Sequence, residues 1–178
     1  INTYTTNSQA SPAVAAAGAG SFVVLWRSSG GQDGSGDGVF GQRFNAAGTP
    51  LGSEFQVNSY TTGSQQQPAV GMDGSGNFVV VWSSSGGDGS GMGVFGQLFT
   101  AGGSPFGGNF QVNTYTTNNQ GAPSVAVDPS GEFVVAWESP GQDGGGSGVF
   151  GQRFGEDGGT AVASEFRINR TTAGSQFG

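Results

Sequence analysis

Apolar residues gather in short runs along this chain, and Gly, Ser, Asn and Asp separate the runs. The clearest run spans 77–83, where Phe78, Val80 and Trp82 fall on one face of an extended strand and Val79 and Val81 on the other. β-Branched and aromatic residues favour strands, whereas Gly and Asn favour turns. No window shows the apolar period of a helix, so the pattern predicts an all-β chain in which this strand is covered on both faces.

The same pattern occurs three times, at a spacing of about 55 residues. The anchors that share the spacing are Trp26, Trp82 and Trp137, Tyr4, Tyr60 and Tyr115, and Pro12, Pro68 and Pro123. In the second copy we predict strands at 68–72, 77–83, 93–99 and 109–113. The spacing divides the chain into repeat 1 at 1–57, repeat 2 at 58–112 and repeat 3 at 113–169. Residues 170–178 begin a further repeat or form a C-terminal tail.

Four antiparallel strands per repeat are typical of a β-propeller blade. A β-solenoid or a string of small β-sandwiches remains the alternative. Propellers usually have 4–8 blades, so three blades predict a piece of a longer array or two copies that close a six-bladed ring. In both cases the expected partner is the protein itself, because a free blade edge carries unpaired backbone groups.

Two motifs resemble a repeat family of large secreted or cell-surface bacterial proteins. They read FVVLWRSSGGQDGSGDGVFGQRF at 22–44 and EFQVNSYTT at 54–62, and both recur in the later copies. The resemblance covers essentially the whole chain. It implies blade-like repeats that lie beside adhesion or calcium-binding modules, and an extracellular or cell-surface location.

Composition excludes several classes of function. The chain of 178 residues has 37 Gly, no Cys and no His, and 12 acidic against 5 basic residues give a net charge of −7. Disulfides, thiolate or imidazole metal sites and His-based triads are therefore absent. The acidic balance argues against nucleic acid as a partner, and no apolar run is long enough to span a membrane. No acidic pair lies in a distinctive catalytic motif, so the sequence predicts that the chain is not an enzyme.

The longest loops are predicted to share one face of the blades. They comprise 30–38, 86–93 and 141–148, and 3–11, 59–67 and 114–122. Alternating oxygens in the first loop suit a calcium ion, which makes Asp33 and Asp37 candidate ligands, with weaker candidates at Asp88 and Asp143. The alternative is that each Asp closes its own Gly-rich turn.

The Tyr-Thr-Thr loops of the same face suit sugar binding, because a Tyr ring offers an apolar surface and a hydroxyl group. The candidate ligand-binding residues are Tyr4, Tyr60, Tyr115, Gln9, Gln65 and Gln120. Alternatively, the tyrosines pack over the blade edges and the glutamines pin the loop backbone.

Two functions follow from these features. The first is a non-catalytic extracellular structural or adhesive module that assembles through its blade edges. The alternative is a lectin-like module that binds carbohydrate on the long-loop face, with calcium assisting.

Overall fold

The computed structural model describes residues 1–157, 159–172 and 174–176. They form three antiparallel sheets of four strands, each in sequence order. The sheets comprise β1 Gln9–Ala16, β2 Phe22–Ser28, β3 Gly38–Phe44 and β4 Pro50–Gln56; β5 Gln65–Met72, β6 Phe78–Ser85, β7 Met92–Phe99 and β8 Pro105–Gln111; and β9 Gly121–Val127, β10 Phe133–Pro140, β11 Ser147–Phe154 and β12 Phe166–Arg167. Within the described residues, no helix is long and apolar enough to cross a membrane. Residues 173, 177 and 178 of the C-terminal segment 170–178 lie outside the described residues.

The strands of the second repeat lie within a few residues of the prediction, and the two largest differences concern the starts of β5 and β8. β5 begins at Gln65 and not at Pro68, because Gln65 and Gln66 pair with β6 ahead of a register shift. β8 begins at Pro105, and its pairing with β7 is also shifted, between Gly96 and Leu98. Both differences arise at β-bulges, where one strand carries an extra residue that interrupts the alternating pattern.

A bulge recurs in the first strand of every sheet, next to a proline. Ser11, Gln67 and Ala122 each precede a proline and have positive φ values of 53°, 54° and 49°. Proline disfavours the right-handed helical region for the residue before it. The register of the strand pair shifts at each of these places. The first strand therefore bends where it leaves the long-loop face.

The sheets pack face to face, and β6 is covered on both sides as its sequence predicted. Phe78, Val80 and Trp82 belong to the core shared with the first sheet. Val79 and Val81 belong to the core shared with the third sheet. Strand β5 packs against β1 on one side and β9 on the other. Three stacked sheets joined through their first two strands are the blades of a β-propeller, so the prediction of blades is confirmed.

Aromatic side chains join one blade to the next. Phe55 of β4 packs against Phe78 and Phe99 of the second sheet, and Phe110 of β8 packs in the same way on the third sheet. Phe166 of β12 holds the equivalent place in the third sheet. The side chain of Phe166 is 41% exposed, because no further sheet covers β12 within the described residues.

Candidate functional site

The long loops do share one face, here called the upper face. Two backbone hydrogen bonds, from Gly36 N to Gly63 O and from Gln65 N to Asp37 O, join the loop after β2 to the loop after β4. The same contact recurs in the second repeat, where Gln120 N donates to Met92 O. The upper face is thus a continuous layer of loops that ties each blade to the following one.

An asparagine holds each pair of loops together, and it is buried in repeats 1 and 2 and half-buried in repeat 3. Asn58 Oδ1 accepts the Val39 N–H at 2.8 Å. Its Nδ2 lies 3.1 Å from Gln65 Oε1, 3.2 Å from Asp33 Oδ2 and 3.0 Å from Tyr60 O. We call this arrangement the asparagine clamp. It recurs around Asn113 and Asn169.

The clamp engages the glutamines that were predicted to bind a ligand. Gln65 and Gln120 are fully buried, and each Nε2 donates to a loop carbonyl of Thr62 or Thr117. Their oxygens accept from the clamp asparagines. Gln9 is half-buried and makes the equivalent bonds. These amides are engaged inside the protein, which matches the alternative that the glutamines pin the loop backbone, and their ligand-binding role stays a prediction.

The candidate calcium ligands also contact N–H donors. Asp33, Asp88 and Asp143 each accept one side-chain bond from a clamp asparagine and one backbone N–H from their own loop. The bond from Asn169 is the main cause that holds the pKa of Asp143 below its ordinary value. Asp37 lies 3.4 Å from the guanidinium of Arg27.

No group of three or more His, Cys, Asp or Glu that could hold a metal ion occurs in the part of the chain that the structure describes. The contacts of the carboxylates match the alternative reading, in which Asp closes its own turn. Calcium at Asp33, Asp37, Asp88 and Asp143 stays a prediction.

The three tyrosines lie in the loops that connect one blade to the next. Tyr60 is 43% exposed, whereas Tyr4 and Tyr115 are half-buried. The Tyr60 hydroxyl lies close to Gly86 in the loop after β6. An exposed aromatic ring in this position offers an apolar surface to a ligand above the loops.

The upper face carries an open cleft of about 250 Å³ between the second and third blades. Gln67 Oε1 bridges these blades by accepting from Ser83 Oγ at 3.0 Å and from Ala122 N at 3.1 Å. Met92 N donates to Asn119 Oδ1 at 2.9 Å. The cleft is lined by Gln67, Met92, Asn119, Gln120, Gly121, Ala122, Glu138 and Pro140.

Glu138 was not predicted from the sequence as a lining residue of this cleft. Glu138 directly follows the repeated Trp137, and the same place holds Arg27 in repeat 1 and Ser83 in repeat 2. It is half-buried, whereas Glu132 and Glu156 are exposed. The sequence does contain a signal for this residue. A position whose residue differs among otherwise similar repeats is not constrained by the shared fold, so it can serve a site that only one repeat carries.

A second cleft of about 250 Å³ opens on the opposite, lower face between the same blades. The equivalent space between blades 1 and 2 is only about 70 Å³. There Arg43 crosses to blade 2 and donates to Gly102 O. Leu98 replaces Arg43 in repeat 2, so the lower cleft is wider and its walls are mainly apolar.

No family model and no curated protein matches the sequence. The fold is similar to that of the Hadza microbial sialidase Hz136, with a TM-score of 0.55 and 11% identity over 80% of this chain and 35% of the sialidase. The likeness shows a β-propeller fold.

Two further solved structures show weaker likeness. The endo-arabinase from Bacteroides thetaiotaomicron VPI-5482 has a TM-score of 0.49 and 14% identity over 98% of this chain and 62% of its own. The α-L-arabinofuranosidase PaAbf62A from Podospora anserina, in complex with cellotriose, has a TM-score of 0.35 and 11% identity over 82% and 64%. This chain therefore spans about a third of the sialidase and less than two thirds of each of the other two.

The prediction that the chain is not an enzyme is wrong. The solved structures with a similar fold include a sialidase, which is an enzyme. His- and Cys-based chemistry is absent and no acidic pair lies in a distinctive motif, but glycoside hydrolysis usually needs only a pair of carboxylic acids that the fold brings together. The chain has 12 acidic residues, so its composition does not exclude such chemistry. At 11% identity the likeness to the sialidase shows the fold and assigns no activity.

Proposed function

We propose that the upper face binds a neutral oligosaccharide in the cleft between blades 2 and 3. The observation that carries the proposal is the open cleft of about 250 Å³, whose walls include the polar side chains of Gln67, Asn119 and Glu138. Sugar recognition combines such polar groups with apolar surface, and Tyr60 and Met92 supply apolar surface on the same face. Because the cleft is open to solvent, a longer glycan has room to extend over the loops.

The polar groups of the cleft are held in place before a ligand arrives. Gln67 is fixed by its two bonds to blades 2 and 3, and Asn119 by its bond from Met92 N. Ordering a long side chain on binding costs about 0.5–1.5 kcal/mol. Side chains that are already ordered avoid most of that cost, which favours binding of a weakly interacting ligand such as a sugar.

Charge favours a neutral ligand over an anionic one. The protein carries a net charge of −7, and Glu138 places a carboxylate at the cleft. Anionic groups on a ligand would be repelled by both, whereas sugar hydroxyls can donate hydrogen bonds to the carboxylate. The proposal therefore names neutral chains such as cellotriose or arabinan, and not sialylated glycans. Because polysaccharide targets lie outside cells, it also places the protein in an extracellular or cell-surface location.

Calorimetric titration with cellotriose, an arabinan oligosaccharide and sialyllactose tests this proposal. We expect at least one neutral sugar to bind and sialyllactose not to bind. Glu138→Ala should weaken binding at least about tenfold, which is 1.4 kcal/mol. Replacing Tyr60 and Tyr115 together with alanine should also abolish retention on a glycan surface.

Glu132→Ala is the matched control, since Glu132 is exposed at the start of the same strand, on the lower face. Affinity in this variant should equal that of the wild type. Reducing ends measured in the same samples show whether binding leads to cleavage. Absence of binding to both neutral sugars at millimolar concentration, or equal losses in the two Glu variants, would refute the proposed site.

A second candidate function is assembly through the end blades. The observation that favours it is the exposed apolar surface at both ends of the stack, where Val14, Phe166 and Ile168 are 64%, 41% and 48% exposed. Burial of such surface is favourable, and large exposed apolar patches commonly mark protein–protein contacts.

A further inference from the structure

Each interface between neighbouring blades uses the same three aromatic rings. Between blades 1 and 2, Phe78 and Phe99 stack at a ring distance of 4.9 Å, and Phe55 of the preceding blade packs against both. Between blades 2 and 3, Phe110 packs in the same way on a stacked pair 5.0 Å apart. One ring from the earlier blade thus always meets two rings of the later blade.

The two ends of the stack carry the separate halves of this interface. At the first blade, half-buried Phe22 stacks 4.9 Å from Phe44, which is 6% exposed. Among the described residues, no third phenylalanine packs against this pair. At the third blade, Phe166 takes the place of Phe55 and Phe110, and its ring packs on no stacked pair within the described part of the chain. The two ends are therefore complementary in composition.

Exposure of the neighbouring aliphatic residue supports the same conclusion. Val57 and Val112 end the fourth-strand segments of repeats 1 and 2 and are 5% and 2% exposed. Ile168 holds the equivalent place in repeat 3 and is 48% exposed. The aliphatic residue is therefore buried at the two interfaces between blades and uncovered at the end of the third blade.

We infer that a second copy of this chain docks head to tail, with Phe166 and Ile168 of one copy against the Phe22–Phe44 pair of the other. This inference rests on the assembly function proposed above and names its surfaces. The contact continues the two interfaces that already exist within the chain. It is heterologous, because two different surfaces meet, and such contacts form closed rings or open arrays.

Residues 170–172 and 174–176 of the C-terminal segment occupy part of the docking place. Gln176 N donates to Ser147 O, just as Gln65 N donates to Asp37 O where blade 1 meets blade 2. Asn169 also donates to Gln176 Oε1, as Asn58 does to Gln65. Residues 2–9 of a docked copy are the equivalents of this segment and would need the same place. The segment therefore competes with docking.

Sedimentation velocity over a range of protein concentrations tests the inference. The wild type should form pairs or longer series, and Phe166→Ala should weaken this association at least tenfold. Ile168→Lys should do the same, and its exposed position makes misfolding a poor explanation. Phe106→Ala is the matched control, because Phe106 is 49% exposed but lies in the middle blade. Its association should equal that of the wild type.

Mixing two variants shows whether the contact is head to tail. Phe166→Ala and Phe22→Ala should each associate weakly alone. Their mixture should associate again, since Phe166 of one variant meets the intact Phe22 of the other. Deletion of 170–178 should strengthen association.

A wild type that stays monomeric refutes assembly itself. If the wild type associates and Phe166→Ala, Ile168→Lys and Phe22→Ala leave that association unchanged, only these surfaces are refuted. Failure of the mixture to associate refutes the head-to-tail arrangement, and weaker association after the deletion refutes the competition.

Discussion

Replacement of Asn113 with alanine should lower the free energy of unfolding by about 3 kcal/mol, the expected sum for two buried polar groups left unpaired. Asn113 is 2% exposed, and its Oδ1 accepts the N–H of buried Val94 at 2.7 Å. Its Nδ2 donates to Tyr115 O and to the buried Gln120 Oε1. Alanine cannot form these hydrogen bonds, so the Val94 N–H and Gln120 Oε1 are both left without a partner. Urea denaturation measures the change.

Asn2→Ala is the internal control for this prediction. Asn2 makes the same bonds to Tyr4 O and Gln9 Oε1, but it is half-buried. Its substitution should cost about 1 kcal/mol or less, as expected for a partly solvated hydrogen bond. If Asn2→Ala and Asn113→Ala lower the free energy of unfolding equally, burial of the clamp does not determine its contribution to stability.

A single methyl group at Gly96 should also destabilise the protein, by about 2 kcal/mol. The Cβ of an alanine at this place would lie 2.5 Å from the Phe110 ring. Phe110 cannot move away freely, because it packs against Phe133 and Phe154 of the next blade. At this chain length the loss corresponds to a decrease of about 4–8 °C in Tm, which differential scanning calorimetry resolves.

Gly151→Ala provides the comparison. Gly151 is the repeat equivalent of Gly96, and its added Cβ would lie 3.0 Å from the ring of Phe166. Because Phe166 is 41% exposed, it can turn away into solvent. The Tm should change by less than about 2 °C, within the range of ordinary surface substitutions. A Tm decrease at Gly151 as large as that at Gly96 would contradict the account of how the blades pack.

Periodicity predicted the blades because the residues that form them repeat. Phe78, Val80 and Trp82 alternate with Val79 and Val81, and only a strand covered on both faces accommodates that pattern. The start of β8 was predicted late, because Phe106 and the glycines after it do not alternate. The bulge that restores pairing there depends on the neighbouring strand, which the local sequence does not reveal.

The polar residues of the upper face were harder to predict, because their roles depend on distant partners. Gln65 looks like a surface residue in sequence, but the clamp asparagine seven positions earlier and the loop carbonyl of Thr62 satisfy its amide inside the protein. Glu138 differs from its repeat equivalents Arg27 and Ser83, which marks the position only as variable. Its place in a cleft became visible only when blades 2 and 3 were brought together.

The position of a bound sugar tests the central claim most directly. We would determine a crystal structure of the protein with cellotriose or an arabinan oligosaccharide. The account predicts sugar in the upper cleft, within hydrogen-bond distance of Gln67, Asn119 or Glu138. Sugar in the lower cleft beside Asp73 and Glu156, or on neither face at saturating concentration, would contradict it.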